Sequence, residues 1–465
     1  MKPYIQLTLT TVFLIFVLLS GVSLSQAQHP NEISTTPDSI SSTSRYPWKI
    51  YKIAESLDPA KDLGLYLSLA VRPYDDYPMI SYYDQYSGAL MYAIPYNWSG
   101  SCGEDNDWHC IVLDQTGDVG LHTSIDVWGE SENNRKYGVS YYDATNMALK
   151  LRMISCVNGD CIGENYTIRD SDLDIFSYGL YTSFKFGSTG VPGIVYYASN
   201  SLSDDSLQYA YPVSSGGNCG VGDQEGLWNC ETIDSGNGVG QYVSTDMSWD
   251  GQLKIAYYDA GLGNLKSANY VGFGGNCGLI GGWQCNTIDG TDGSNVGLNA
   301  SIQAPQFSGD SLRIAYYDKT NEHLKFYDSL QNWKVVVDEM GSSLSNMGIS
   351  MDIDKDYSPI IAYQQIDSEF SPPVLRIARP ASVYGEDSLG NCGEVPPGYL
   401  FQYWQCNTLD NGGQYTEEAD YVSLVVKSNG LAMIAYTEYD SYYDATRLKI
   451  IYQYSQTFLP LLTKP

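Results

Sequence analysis

Seven segments of this chain carry the same apolar-Tyr core, and nothing else in the sequence restricts the fold so tightly. They are Ile80–Asp84 (ISYYD), Val139–Asp143 (VSYYD), Ile194–Ala198 (IVYYA), Ile255–Asp259 (IAYYD), Ile314–Asp318 (IAYYD), Ile361–Gln365 (IAYQQ) and Ile434–Glu438 (IAYTE). A second short segment follows each, starting at Leu90, Leu149, Leu207, Leu265, Leu324, Leu375 or Leu448 and usually continuing as LK or LR. Its spacings are 59, 58, 58, 59, 51 and 73 residues. Upstream of each core a small residue precedes a Ser, at Ser68, Ser124, Ser183, Ser244, Ser301, Ser350 and Ser423. Before that lies a segment marked by Trp48, Trp108, Trp228, Trp283, Trp333 or Trp404. Five of these six reach an Asp within six positions, and the second repeat substitutes Asn165–Asp170 (NYTIRD).

Four segments therefore recur seven times. They are short, rich in β-branched and aromatic residues, and punctuated by Gly, Asn and Asp, which is the pattern of strands and turns. A chain of 465 residues suggests about three domains on length alone. Repetition at a period near that of known blade repeats argues instead for one closed unit. The expected fold is all-β: a seven-bladed β-propeller of four-stranded antiparallel blades over residues 46–455. Both faces of the IAYYD strand carry large apolar groups, as blades packed on both sides require. If the Ser strand is innermost, Trp48–Ile53 completes the seventh blade beside Leu448–Tyr452, so the N-terminal strand closes the ring.

Met1 and Lys2 precede an apolar stretch from Ile5 to Leu24, and Ser25-Gln26-Ala27 fits a signal-peptidase site. We read residues 1–27 as a signal peptide, 28–45 as a Ser/Thr/Pro-rich linker and 456–465 as a C-terminal tail. A secreted or cell-surface protein follows, with no membrane span after cleavage. The ten cysteines form five local couples: Cys102 with Cys110, Cys156 with Cys161, Cys219 with Cys230, Cys277 with Cys285, and Cys392 with Cys406. Four of the five share an Asn or Ser, Cys, Gly start and a Trp-x-Cys finish, which favours local disulfides in an oxidising compartment. Zinc is excluded, because no CxxC exists and His29, His109, His122 and His323 are not spaced as ligands.

The formal charge is 25 − 54 = −29, so nucleic acid and anionic membrane surfaces are poor partners. No GxSxG, HExxH, P-loop or strand-linked GxGxxG is present, and no catalytic residue is assigned. Carboxylate chemistry stays open, because two Asp or Glu residues at a set distance suffice for glycoside hydrolysis. Loops after the second and fourth strands should share one face. It would collect Asp84, Asp143, Asp259, Asp318 and Glu438, our candidate ligand-binding residues, together with Asp114, Asp170, Asp234, Asp289, Asp338 and Asp410. The competing reading has each Asp accepting backbone N–H bonds in its own turn, and the Tyr pairs as inter-blade core. No cofactor is expected. Asp352, Asp354 and Asp356 have the alternate spacing of a calcium loop but lack its Gly and distal Glu, so a strand-connecting turn is favoured. Sequons at Asn97, Asn165 and Asn299 matter in a host that glycosylates.

The tandem pattern G-x-Y-x-S, I-A-Y-Y-D, L-K-x-A, W-x-C-x-T-I-D resembles uncharacterised secreted bacterial propeller repeats, some of them sialidase-like. The closing Phe458-Leu459-Pro460-Leu461-Leu462 resembles tails of secreted Chloroflexota proteins. The chain departs from sialidases in having no S-x-D-x-G-x-T-W box and only nine arginines. The resemblance implies a fold and a compartment, and no reaction. The expectation is a monomeric, non-catalytic binding module that presents an acidic, Tyr-rich face to a carbohydrate, an extracellular protein or a cation. The alternative is a carboxylate-based extracellular glycoside hydrolase or lyase.

Overall fold

Among the described residues the strands sort into seven antiparallel sheets of four. The structure, a computed structural model, describes residues 47–454 except 57, 59–60, 97–98, 159, 172–175, 201–204, 306–310, 342–347, 367–371, 382–388, 399–402 and 413–415. The expected signal peptide, linker and tail, and the Asn97 sequon, lie outside the described residues. The first blade runs outward from the axis through Leu63–Val71, Pro78–Asp84, Ala89–Pro95 and Trp108–Asp114. The seventh comprises Thr416–Val426, Ala432–Asp440 and Ala445–Gln453, with Trp48–Glu55 as its outer strand. Trp48 pairs opposite Gln453 and Glu55 opposite Arg447, so the ring closes as the repeat phase requires. This is a seven-bladed β-propeller.

The repeated serines hold the innermost strands together. Each Ser Oγ accepts the backbone N–H of the next blade's inner strand: Ile125 to Ser68, Phe184 to Ser124, Thr245 to Ser183, Ile302 to Ser244, Met351 to Ser301, Leu424 to Ser350 and Leu69 to Ser423. The distances are 2.9–3.2 Å and the circuit is complete. A blade's inner strand has no fifth strand to pair with, so these bonds satisfy amides that would otherwise face the axis.

Between blades lies a polar lock. The first Tyr of each core, Tyr82, Tyr141, Tyr196, Tyr257, Tyr316, Tyr363 or Tyr436, is at most 1% exposed. At five junctions its hydroxyl donates to the Asp at or one residue before the end of the preceding blade's outer strand, and the Lys or Arg of the LK or LR dipeptide pairs with that same carboxylate. Asp114 meets Tyr141 at 2.6 Å and Lys150 at 2.6 Å. Asp234 meets Tyr257 at 2.7 Å and Lys266 at 2.5 Å. Asp289 meets Tyr316 at 2.8 Å and Lys325 at 2.5 Å. Asp338 binds Tyr363 and Arg376, and Asp410 binds Tyr436 and Lys449. Burial alone would raise the carboxyl pKa of Asp114 and Asp289, but the Lys and Tyr donors outweigh it and hold both below the usual range.

Two junctions differ. In the second blade Arg169, not Asp170, occupies the acid's register, opposite Leu149 as Asp114 is opposite Leu90. Asp170 follows it directly, in the loop after the strand. Arg169 donates to Gln208 Oε1, which also accepts from Tyr196, so the lock survives with its donor and acceptor exchanged. At the seam between blades seven and one, Ala54 stands opposite Leu448 where the acid would be, and Met91 replaces the Lys; both pack into one apolar cluster with Tyr82.

The outer edges carry the five disulfides in the expected pairing. The residue before the first Cys has a structural role. Asn218, Asn276 and Asn391 each accept the N–H of the second Cys and donate to its carbonyl, and Ser101 does the same at Cys110.

Candidate functional site

The motif G-x-Y-x-S shapes the axis. Its Gly adopts positive φ in five blades: Gly64 (84°), Gly120 (108°), Gly179 (102°), Gly240 (106°) and Gly297 (108°). A Cβ on Gly120 would lie 2.7 Å from the Leu90 Cα, and one on Gly297 2.7 Å from the Leu265 Cα, so the inner strand can approach its neighbour only as Gly. Two residues on, the chain turns left-handed again, now at Tyr66 (52°), His122 (53°), Tyr181 (49°), Tyr242 (49°) and Asn299 (50°). The pairing register breaks at each of these bulges. Positive φ at Asn is ordinary, but at bulky aromatic residues it is an outlier that marks strain or function.

The bulges aim these side chains at the axis. They line a cavity of about 350 Å³ together with Gly348 and Tyr421, which hold the same position in blades six and seven, and with the residue following each. Five rings form a crescent. Successive centroids are 5.1 Å apart for Tyr421–Tyr66, 4.4 Å for Tyr66–His122, 4.7 Å for His122–Tyr181 and 4.8 Å for Tyr181–Tyr242, with neighbouring rings tilted by 46–56°. The second Tyr of the core supports it from behind: Tyr83 contacts Tyr66, Tyr197 contacts Tyr181 and Tyr258 contacts Tyr242. Asn299 and Gly348 complete the circuit in blades five and six, where no ring stands.

The lining contains no Asp, Glu, Lys or Arg among the described residues. His122 borders the cavity deep inside the ring of blades, and desolvation pushes its pKa down to about 3, so the imidazole is neutral. Burial raises the phenol pKa of Tyr181 and Tyr242. Four residues further along the inner strands, charge reappears. Asp126, Lys185, Asp246 and Asp352 interact across the channel, with Lys185 Nζ 3.7 Å from Asp246. Asp126, Asp246 and Asp352 each accept the backbone N–H of the next inner strand, at Phe186, Ala304 and Val426. Burial raises the pKa of Asp352 to about 6 and raises that of Asp126 as well.

The acidic residues singled out from the sequence lie elsewhere. Asp143, Asp259 and Asp318 are 1–3% exposed and cap their own turns: Asp143 accepts from Asn146, Asp259 from Leu262 and Asp318 from Asn321. Asp84 accepts from Tyr86 and Ser87, and Glu438 pairs with Arg447 and Lys449. The cation locks absorb Asp114, Asp234, Asp289, Asp338 and Asp410. Of the calcium candidates, Asp352 faces the channel, Asp354 accepts the amides of Asp356 and Ser358 in a turn, and Asp356 pairs with Lys355. The pocket residues were within reach of the sequence. They are the Y of the G-x-Y-x-S signal, which repetition marks; their meeting on an axis becomes visible only once the ring is built.

No known protein family matches the chain, and no curated protein matches it. Solved structures do resemble it. AofleA from Arthrobotrys oligospora is 11% identical over 79% of this chain and 91% of that one, with a TM-score of 0.41. A protein of unknown function from Dyadobacter fermentans is 9% identical over 87% and 99%, at 0.42, and the polysaccharide lyase Uly1 is 11% identical over 83% and 89%, at 0.42. At these scores and identities none of them assigns a function to this chain.

Proposed function

We propose that this propeller is an extracellular, non-catalytic binding module whose ligand site is the axial aromatic pocket. One observation carries the reading. Three tyrosines and a histidine are held in a left-handed conformation that Gly or Asn would adopt with less strain, and all four point into one cavity. The fold itself uses Asn at this position in blade five, so the ring position does not need an aromatic side chain for the strand to form. Strain concentrated at a cavity is a mark of function. The volume of about 350 Å³ sits at the low end of the roughly 300–1,000 Å³ of small-molecule sites, which fits a compact ligand. The acidic residues singled out from the sequence on the outer loops are engaged in turns and inter-blade locks, and no carboxylate lines the pocket among the described residues; Asp126, Asp246 and Asp352 lie further along the channel, held by inner-strand amides. Five disulfides fit an extracellular setting.

The test is Tyr242→Asn and Tyr181→Asn. Each copies the residue of blade five, so relief of strain offsets part of the lost ring contacts, three at Tyr181 and two at Tyr242, and both variants should fold with stability lowered by about 1–3 kcal/mol. Binding in a small-molecule screen should fall at least about tenfold. A variant that binds as the parent does would place the site elsewhere.

A further inference from the structure

From the pocket and the channel beneath it we infer the charge of the ligand: the axial site takes a small organic cation, an alkylated or primary ammonium group. This rests on the reading of the pocket as the ligand site. The walls include four Tyr rings and one neutral imidazole, whose π-systems are negative on their faces and attract a cation placed over them. No Lys or Arg side chain lines the cavity among the described residues, so no positive charge in the lining opposes a cation or pairs with an anion.

The floor supplies the sign. Asp126, Asp246 and Asp352 face one Lys185 in the channel, an excess of 1 − 3 = −2 when all are ionised. Their carboxylates are fixed by backbone amides, so they cannot swing away to balance the field. A channel with low-dielectric walls focuses such a field toward its mouth. The protein as a whole carries −29 and adds to the attraction of cations from solution. Anionic ligands such as uronates, phosphates and sialylated glycans meet the wrong sign at every level. A neutral sugar could stack on the rings, but the fixed charge would contribute little to its affinity.

The experiment uses the mature full chain, with choline and its uncharged carbon isostere 3,3-dimethylbutan-1-ol as probes, followed by calorimetry and by shifts of the His122 ring resonances. Choline should bind about tenfold tighter than the isostere or more. Asp246→Asn should weaken choline and leave the isostere unchanged, with melting measured alongside to confirm that the variant folds. Equal binding of the two probes, or no choline binding at tens of millimolar, would overturn the cation assignment while leaving the pocket as a site for a neutral ligand. Choline binding that survives both Tyr181→Asn and Tyr242→Asn would overturn the pocket reading itself.

Discussion

At the scale of the residue, the most informative positions are those where the backbone accepts a conformation its side chain resists. Tyr66, His122, Tyr181 and Tyr242 do so at the third position of the same five-residue motif. His122 also sets a pH dependence. Its folded pKa is about 3, below the ordinary value near 6.5, so the unfolded chain binds the extra proton first. Stability should fall as pH drops below about 6.5, by on the order of 1–2 kcal/mol between pH 7 and pH 5 after allowing for water in the cavity. Asp352 works the other way. Its raised pKa of about 6 means that the folded state gains a proton first, which offsets part of that loss. His122→Asn should therefore flatten the acid limb of a denaturation-against-pH curve; an unchanged slope would show that the imidazole is not the group responsible.

At the scale of the element, blades are joined by chemistry that the dipeptide LK announces but does not explain. Lys150 reaches from its own blade to Asp114 of the preceding one, where Tyr141 already donates. Removing one partner of a buried pair leaves an uncompensated charge, so Lys150→Met should destabilise by about 3 kcal/mol. Adding Asp114→Ala reproduces the Ala54–Met91 chemistry of the seam and should restore most of the loss. A double variant no more stable than the single one would show that the carboxylate is not what makes the lysine necessary. The second blade shows the limit of reading such elements from spacing. NYTIRD offers Asp170, yet strand register places Arg169 at the junction, because pairing with Leu149 is set along the whole ten-residue strand and not by the nearest acid.

At the scale of the whole molecule, the ring is closed twice, by seven serine hydroxyls around the axis and by Trp48–Glu55 at the rim. Deleting residues 46–55 would strip the outer strand from blade seven, uncover the edge of Ala445–Gln453 and expose the site of the fully buried Ile53. Melting should drop by an amount equivalent to several kcal/mol, with aggregation through the open edge visible by light scattering. Retained melting temperature and solubility would contradict closure by this strand. The sequence by itself determined the blade number, the closing strand and the five disulfide pairs, because repetition and local spacing are properties of the chain alone. Only the tertiary structure decided which repeated position faces the axis and which acids are engaged elsewhere. Asp114 and Asp143 are ordinary acidic turn residues in the chain; Asp114 becomes a lock when Lys150 reaches it from the next blade, while Asp143 caps its own turn at Asn146. The pocket, likewise, is a property of seven distant residues brought to one radius, and no stretch of sequence contains it.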